Sequence, residues 1–326
     1  MGIKNSWQLL TLWIRTWKTL PVLAWVRGAA LYRGSKFKEA AELYERGLAR
    51  NPNHPAHLCA RLDLAYCYFK LGRIDAAEQQ LRHVTVHSPT SREAALRLAR
   101  LQLWSGRANE AAVTLHRALQ RISPDPELAS TLTLAVCEND GPAYLLESAR
   151  EALASLSIDE AQYPRVTLAR ALVDLRGADP TGARATIERL ASESPALFEA
   201  VLSHSEILLR DGKVLHARRH LRRALAVAPG HPRLLSLLAE SYLKSGTLYN
   251  SSYARQLATE ACVASQWLSP REMHILAEAY YHSDDKLAAL LIASKAKEAG
   301  SRLLGLYRDA KHLDALIESL SLQSLA

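Results

Sequence analysis

The sequence has little of what builds sheets or covalently held frameworks. Phe occurs three times, Gly 14 times and Pro 13 times in 326 residues, while Ala, Leu, Arg and Glu dominate. That composition is typical of packed helices, so we expect few strands or none. The four cysteines, Cys59, Cys67, Cys137 and Cys262, form no CxxC pair and lie among apolar neighbours in helical patterns. A disulfide framework or a zinc ribbon is therefore poorly supported, and buried thiols are expected.

Long hydrophobic runs are also missing. No segment reaches the roughly 18 uninterrupted apolar residues of a membrane-spanning helix, because Arg15, Lys18 and Arg27 interrupt the N-terminal hydrophobicity. The same residues leave no continuous apolar region for a cleavable signal peptide. We therefore expect a cytoplasmic chain without a transmembrane helix. Its length exceeds that of one ordinary core, which favours two domains or one repeat array.

Catalytic and metal-binding signatures are absent from the sequence. It contains no HExxH, GxSxG, Walker A or GxGxxG motif. Two histidine pairs, His83 with His87 and His216 with His220, have the four-residue spacing of two metal ligands on one helix. Neither pair has a third ligand nearby in sequence, so exposed helical histidines are the favoured interpretation. We expect no enzymatic activity, no metal, no cofactor and no small-molecule substrate.

Regularly spaced Gly and Pro residues are the strongest positive signal in the sequence. Four stretches each read Gly, a short turn, Ala, a helix of large apolar residues and then Pro: GSKFKEAAELYERGLARNP (34–52), GRIDAAEQQLRHVTVHSP (72–89), GRANEAAVTLHRALQRISP (106–124) and GKVLHARRHLRRALAVAP (212–229). Gly72 and Gly106 are 34 residues apart, as are Pro195 and Pro229. Small residues let two antiparallel helices approach closely, Gly relaxes the turn, and Pro ends the second helix. One pair cannot bury its own apolar stripe, so neighbouring pairs are expected to stack.

The period and the residue order resemble the tetratricopeptide repeat over nearly the whole chain. The first helix of the pattern has a small residue at Gly28, Ala65, Ala99, Ala171, Ala239 and Ala277, and an aromatic residue three positions later at Tyr68, Tyr242 and Tyr280. The resemblance implies an all-α, right-handed superhelical solenoid of about eight antiparallel helix pairs, preceded by an N-terminal amphipathic helix. We expect that helix at 1–20, the solenoid at 21–301, and a capping helix with a tail at 302–326. A degenerate pair at 126–163 and an insertion near 246–253 depart from the pattern.

Members of this family bind partners in a concave groove lined by the first helices. The resemblance places groove positions at Tyr32, Arg33, Tyr66, Phe69, Lys70, Arg100, Trp104, Glu206, Glu240 and Glu278. The N-terminal half of this set is aromatic and basic, which is typical of interface anchors. A protein or peptide partner in the groove is therefore expected. Packing between adjacent first helices is the alternative role for these side chains.

The first twenty residues have the pattern of a separate amphipathic helix. Its apolar face carries Trp7, Trp13, Ile14 and Trp17, and its polar face carries Arg15 and Lys18. Residues 1–38 contain seven Lys or Arg, no Asp or Glu, and four of the six tryptophans. Tryptophan favours the lipid headgroup boundary, and a basic face is attracted to anionic lipid. Two interpretations stay open: the helix docks on an anionic membrane or a membrane protein, or it caps the first repeat.

A basic ridge within residues 210–223 is the second charged feature. Its four arginines are i, i+4 neighbours on the second helix of a pair: Arg218, Arg219, Arg222 and Arg223. Such a ridge suits nucleic-acid phosphates, an acidic protein or anionic lipid. For RNA, interleaved aromatic residues would also be expected, and the ridge has none. A solvated convex face is the alternative interpretation.

Together these patterns predict a non-catalytic protein interaction scaffold or adaptor. We expect it on the inner face of the cytoplasmic membrane, serving the assembly of an envelope or membrane-associated complex. A nucleic-acid-associated or regulatory solenoid that uses the basic ridge is the alternative.

Overall fold

The structure, a computed structural model, describes residues 21–138, 142–177, 179–194, 196–246, 248–304 and 307–323. Within those ranges every regular element is a helix and no strand occurs. Eight helix pairs with short connections follow one another, and a single helix ends the series, which confirms the all-α solenoid prediction. The amphipathic helix expected at 1–20 lies outside the described residues.

The helices of the described ranges have the following bounds. In chain order they are α1 (Pro21–Arg33), α2 (Phe37–Arg50), α3 (His57–Lys70), α4 (Ile74–His87), α5 (Arg92–Trp104), α6 (Ala108–Leu119), α7 (Pro126–Glu138), α8 (Ala143–Ala154), the single turn α9 (Ile158–Ala161), α10 (Pro164–Asp174), α11 (Pro180–Glu193), α12 (Phe198–Arg210), α13 (Val214–Val227), α14 (Pro232–Leu243), α15 (Ser251–Ala264), α16 (Pro270–Tyr281), α17 (Lys286–Ser301) and α18 (Ala310–Gln323). Within the described ranges, no helix is both long and apolar enough to span a membrane.

Three turn glycines, Gly72, Gly106 and Gly212, end the first helices of their pairs by one shared mechanism. At the end of α3, Gly72 has φ +73°, a value that side chains with a Cβ disfavour. The Gly72 N–H donates to the Phe69 carbonyl at 3.0 Å, and the Arg73 N–H donates to the Tyr68 carbonyl at 2.8 Å. These two bonds are a Schellman motif, which satisfies carbonyls that the helix end would leave unpaired.

Small residues bring the two helices of a pair together as predicted. The expected positions Ala65, Ala99, Ala171, Ala239 and Ala277 are all buried, with at most 4% of their surface exposed. The first pair uses two glycines for the same purpose. A Cβ on Gly28 would lie 3.3 Å from the Tyr44 ring, and a Cβ on Gly47 would lie 2.3 Å from Trp25 Nε1. The indole of α1 therefore fits only against a residue without a side chain.

Two irregular connections lie where the sequence departs from the repeat pattern. After α8 the chain forms the additional turn α9, and Ser157 and Glu160 make a reciprocal capping box at its start. The insertion near 246–253 leaves a gap between Leu243 and Ser251, where α14 ends and α15 begins. Asn250 caps α15 by accepting a hydrogen bond from the Tyr253 N–H at 2.9 Å.

The chain divides into two compact units, residues 1–98 and 99–326. They are called here the first unit and the second unit. The largest core cluster lies in the second unit and runs from Leu168 of α10 to Leu313 of α18. Fifteen Lys and Arg against seven Asp and Glu give the first unit all of the net charge of +8. The second unit has twenty-six of each sign and is neutral.

Candidate functional site

Three aromatic rings form one cluster in the first unit. Tyr32 ends α1, Phe37 begins α2, and Tyr66 lies in α3, so the cluster joins the first two repeats. The ring centroids are 5.2 Å apart for Tyr32 and Tyr66, 6.1 Å for Tyr32 and Phe37, and 5.9 Å for Phe37 and Tyr66, all edge to face. All three side chains are half-buried, which leaves part of each ring accessible. These three residues are called here the aromatic face.

Exposed cations surround the aromatic face. Lys70 Nζ lies 5.4 Å from the Tyr66 ring centroid, within reach of a cation–π interaction. Arg33, Lys36 and Lys38 are adjacent in sequence to its rings and are exposed. None of these four cations forms an ion pair within the described part of the chain. The surface thus combines accessible aromatic area with cations that form no ion pair in the described residues.

The predicted groove residues of the first unit therefore lie together. Tyr66 contacts both Tyr32 and Lys70, and Phe69, which is half-buried, follows Tyr66 by three residues on α3. Phe37 was missed by the sequence analysis because it belongs to a second helix, whereas the groove pattern selects positions on first helices. Its signal was available, since Phe is rare in the chain and Phe37 has a lysine on each side.

Trp104, another predicted groove residue, packs within the second unit. It lies in the last turn of α5 and donates a hydrogen bond from Nε1 to the Ala264 carbonyl at 2.9 Å, across 160 residues of sequence. Its ring centroid is 5.0 Å from that of His231. Burial, with a smaller contribution from Arg233, lowers the pKa of His231 to about 4, so this imidazole is neutral at pH 7.

Two further contacts hold the same parts of the second unit together. Asn109 Nδ2 donates to the Leu304 carbonyl at 2.6 Å. Gly106 has φ +73°, and a Cβ there would lie 2.3 Å from Ser269 Oγ and 3.0 Å from Ser269 Cα. The turn between α5 and α6 thus contacts the segment just before α16 without room for a side chain.

Charged side chains in the interior of the second unit neutralise one another around Glu206 of α12. Arg233 Nη2 contacts Glu206 and also lies 2.9 Å from Glu138 Oε1. Arg271 Nη2 is 3.4 Å from Glu206 Oε1, and Arg210 Nη2 is 3.8 Å from Glu206 Oε2. A residue that the resemblance assigned to partner binding is therefore held by side chains of its own unit.

The electrostatics of Glu206 reflect these neighbours. Burial alone raises the pKa of its carboxyl, but the guanidinium groups of Arg233, Arg271, Arg308 and Arg210 outweigh burial and lower the pKa to about 2. The pKa of Arg271 is raised. Burial lowers it, but the negative charges of Glu206, Glu138 and Glu240 raise it by more. Both groups are therefore charged throughout the physiological range.

The remaining predicted groove residues also have partners within the second unit. Arg100 contacts Glu127, and Glu240 Oε1 lies 3.2 Å from Lys244 Nζ. Glu278 Oε1 lies 3.6 Å from His274 Nε2. Burial, and after it the charge of Glu240, raises the pKa of Glu278 to about 7. Of the acidic groove positions, Glu206 and Glu240 are therefore in ion pairs. Glu278 instead lies beside an imidazole that is neutral at pH 7, because burial lowers the pKa of His274 to about 4.

The four arginines of the basic ridge divide into two environments. Arg218 is buried, with Nη2 2.5 Å from the Ser241 carbonyl and its guanidinium 4.1 Å from the Tyr242 ring centroid. Arg222 donates to the Tyr242 hydroxyl. Arg219 and Arg223 are exposed. The ridge available to a partner is therefore smaller than the sequence predicted, because Arg218 packs between α13 and α14.

The docking residues predicted in the N-terminal helix lie outside the described residues: Trp7, Trp13, Ile14, Arg15, Trp17 and Lys18. The histidine pair on α4 is described, and its rings stack with centroids 4.0 Å apart. In the described part of the chain no group of three or more His, Cys, Asp or Glu is placed to hold a metal ion.

Sequence reasoning missed the arginines around Glu206, although a signal for two of them was present. Three first helices begin with a Pro–Arg dipeptide: Pro164–Arg165, Pro232–Arg233 and Pro270–Arg271. In each case the arginine reaches a glutamate of another repeat, Glu199 for Arg165 and Glu206 for the other two. A repeated cation in the first turn of first helices therefore marks charges that link one repeat to another.

Comparisons with known proteins agree with the geometry. Two family models, both described as tetratricopeptide repeat, match residues 31–86 and 62–126. A tetratricopeptide repeat protein from Parabacteroides merdae ATCC 43184 is similar in structure, with a TM-score of 0.51 and 11% identity over 92% of this chain and 98% of that chain. A chain of the APC/C hetero-tetramer Cut9–Hcn1 has a TM-score of 0.64 and 12% identity, over 93% of this chain and 63% of its own length. At these identities the likeness shows the fold alone. A sequence comparison with the curated proteins finds no match.

Proposed function

Since this chain is a tetratricopeptide-repeat protein, we propose that it is a non-catalytic interaction scaffold that binds an acidic protein or peptide on the aromatic face of the first unit. The observation that carries the proposal is the coincidence of half-exposed rings with exposed cations that lack ion pairs in the described part of the chain. Aromatic side chains bury large areas at a low cost in conformational entropy, which makes them frequent interface anchors.

Charge supports an acidic partner. The first unit carries the whole net charge of the protein, and positive potential speeds encounter with acidic partners and disfavours basic ones. The inner charges of the second unit already have partners, so a ligand there would have to compete with existing ion pairs. The cations beside the aromatic face form no ion pair in the described residues, so an acidic ligand bound there would displace no existing pair.

A membrane-associated role is the finer part of the proposal. Residues 1–38 combine seven basic residues, no acidic residue and four tryptophans, which suits docking on an anionic membrane surface or on a membrane protein. An adaptor with such an end could assemble an envelope or membrane-associated complex. The nucleic-acid alternative has weaker support, because the basic ridge has one buried arginine and no interleaved aromatic residue.

Peptide selection tests the partner site directly. The full chain is used to select from a displayed random-peptide library, and we expect acidic peptides with apolar anchors to be enriched. The double variant Tyr66→Ala, Lys70→Ala should bind the selected peptides about tenfold more weakly or worse, because it lacks an aromatic anchor and the neighbouring cation. Tyr163→Ala is the matched control, because Tyr163 is an exposed aromatic of the second unit. Equal binding by the double variant and the control would refute the site.

Vesicle flotation tests the membrane part separately. The full chain and a chain lacking residues 1–20 are mixed with vesicles that contain anionic lipid and with neutral vesicles. We expect only the full chain to float, only with anionic vesicles, and less at high salt. Recovery of both chains in the aqueous fraction would contradict membrane docking while leaving the peptide site intact.

A further inference from the structure

Charge is segregated in the last three helix pairs of the second unit. The second helices of these pairs, α13, α15 and α17, together contain eight Lys or Arg and only two Glu. The first helices, α12, α14 and α16, contain three Arg and five Glu. The neutrality of the second unit as a whole therefore conceals a strongly positive set of second helices. The solvent-exposed side of α13, α15 and α17 is called here the outer face.

Five cations of the outer face have no carboxylate partner. Lys297 pairs with Asp314 of α18 at 2.7 Å, and the Arg255 guanidinium lies 5.6 Å from the Tyr280 ring centroid. The others are exposed and form no ion pair within the described residues: Arg219, Arg222, Arg223, Lys286 and Lys295. Their charge is available to a partner without the loss of an existing pair.

The acids on this side are too few to balance these cations. Glu298 is paired with Arg302, and Glu260 accepts a hydrogen bond from Gln256. The turns that precede the three helices add three charges without ion pairs in the described residues: Lys213, Asp284 and Asp285. With these counted, six unpaired cations stand against three unpaired carboxylates, so the outer face remains positive.

Large apolar side chains project from the outer face between the cations. On α13 a row with four-residue spacing runs from Leu215 through Arg219 and Arg223 to Val227. Leu215 is 57% exposed and Val227 is 60% exposed, so the row presents two arginines to solvent between two apolar ends.

The other two second helices repeat this combination. On α17, Leu287 and Leu291 are 78% and 58% exposed and precede Lys295 at the same spacing. On α15, Val263 is 60% exposed. Each of the three helices therefore carries exposed apolar area that no neighbouring helix covers.

Tyr242 of α14 joins α13 and α15 into one surface. Arg222 of α13 donates to its hydroxyl, and the Tyr253 ring of α15 packs edge to face on its ring, with centroids 4.9 Å apart. The exposed arginines of α13 and the exposed Tyr253 are therefore neighbours on the outer face.

The second helix that precedes α13 has neither property. On α11, Arg184 pairs with Asp211 at 3.1 Å and Arg189 pairs with Glu193 at 2.9 Å. None of the large exposed apolar side chains of the described residues belongs to this helix. Exposed apolar groups beside unpaired cations are therefore a feature of the last three pairs and not of second helices in general.

We propose that the outer face binds an anionic lipid surface. Cations near such a surface are attracted by the negative headgroups, and exposed apolar side chains enter between them. A nucleic acid would use the cations but leave Leu215 and Leu287 in water. The core of a protein interface is contiguous and packed, whereas these apolar side chains are distributed over three helices.

This inference rests on the membrane part of the proposed function. Each cation near an anionic surface strengthens binding by about fivefold, so the outer face alone is too weak to retain the chain on a vesicle at physiological salt. Residues 1–38 supply the main contact, and the outer face adds affinity to it.

Vesicle cosedimentation of the full chain tests the outer face. The vesicles contain about seven parts phosphatidylcholine to three parts phosphatidylglycerol, at about 0.15 M salt. The double variant Arg219→Gln, Arg223→Gln should bind about tenfold more weakly, because it lacks two unpaired cations. The double variant Leu287→Ser, Leu291→Ser should bind about fivefold more weakly, because it lacks two apolar side chains that enter the headgroup layer.

The matched control is the double variant Arg117→Gln, Arg121→Gln. Both arginines are exposed, have the same four-residue spacing and form no ion pair within the described residues. They lie on α6 and in the turn after it, and the next second helix, α8, carries Glu147 and Glu151 against one arginine. This control should change vesicle binding by less than about twofold. Circular dichroism checks that all variants keep the helix content of the unchanged chain.

Three outcomes would overturn the inference. Equal vesicle binding by the Arg219, Arg223 variant and the control would overturn it alone and leave the proposed membrane role of residues 1–38 in place. Failure of the unchanged chain to bind the vesicles would overturn that role and this inference with it. If the Arg219, Arg223 variant loses binding to a double-stranded oligonucleotide while its vesicle binding is unchanged, the outer face is a nucleic-acid surface instead.

Discussion

The first unit and the second unit use the same helix pairs but place their charges differently. In the first unit positive charge stands on the surface beside half-exposed rings, and the unit carries the entire net charge of +8. In the second unit the charges of the first helices turn inward and contact one another, as Arg233 and Arg271 do with Glu206. Trp104, which has the same repeat position as Lys70, hydrogen-bonds to a carbonyl of its own unit.

This difference shows that a repeat position does not have a fixed role. An aromatic or charged residue on a first helix can instead contact a later repeat of the same chain, as Trp104 and Glu206 do. In the second unit, repeats far apart in sequence contact one another and satisfy these side chains. In the first unit the rings of the aromatic face contact one another across adjacent repeats. Three measurements probe the contrast, and they are given in order of decreasing expected effect.

Removing a central arginine should affect the second unit most. Arg233→Met leaves Glu138 with Arg271 and leaves Glu206 with Arg271 and Arg210 as remaining cations. Breaking a buried ion pair typically costs about 3–5 kcal/mol. The free energy of unfolding is measured by urea denaturation. The control is Arg46→Met in the first unit, whose pair with Glu42 at 3.6 Å is exposed and contributes at most about 1 kcal/mol. Equal losses in the two variants would mean that the inner charges do not stabilise the second unit.

Filling a close contact should have a smaller effect. Gly106 and Gly212 have nearly the same backbone angle, φ +73° and +75°, so alanine strains both turns alike. A Cβ at Gly106 meets Ser269, whereas one at Gly212 meets nothing within 4 Å. Gly106→Ala should therefore cost about 1–3 kcal/mol more than Gly212→Ala in thermal or urea unfolding. Identical costs would show that the turn after α5 does not press against the segment before α16.

The smallest expected effect is a dependence on pH. The pKa of Glu278 is raised from 4.5 to about 7, so its contribution to stability is present below pH 4.5 and is lost as the pH rises to about 7. Because 35% of its side chain is exposed, solvent screening keeps the effect below about 1 kcal/mol.

Urea midpoints between pH 4.5 and 8 measure this slope. Glu278→Gln should flatten the slope in that window. Glu298→Gln should leave it unchanged, because the Glu298 side chain is 61% exposed and belongs to a surface pair. A slope that survives in Glu278→Gln would assign the dependence to another group.

Local signals in the sequence were sufficient to predict the fold. The turn glycines, the small residues of the first helices and the prolines at 34-residue spacing act between neighbours in sequence, and their roles at Gly72 and Ala65 are those expected. The insertion was recognised because its residues interrupt the same spacing. Such local rules determine helix pairs regardless of how later repeats are arranged.

The candidate sites were only partly predictable, for a physical reason. Tyr66 contacts Tyr32 of the preceding repeat and Lys70 of its own helix. A repeating sequence pattern is sufficient to predict contacts this local. Trp104 and Glu206 contact residues of other repeats in the second unit. Whether distant repeats touch depends on the rotation that each helix pair adds to the next, and small differences in that rotation decide the outcome. Arg218 is buried because it contacts Ser241 and Tyr242 of α14. The charge pattern along α13 does not reveal these partners.

The hydrogen bond from Trp104 to Ala264 has a consequence for how the chain folds. A linear repeat array has only nearest-neighbour interactions, so folding can begin at any repeat and partly folded arrays are tolerated. A bond that spans 160 residues adds a non-local step, which is slow to form because a long loop must close first. The second unit should therefore acquire its helices quickly and its final cooperativity late, with the Trp104 indole as the optical reporter of the last event.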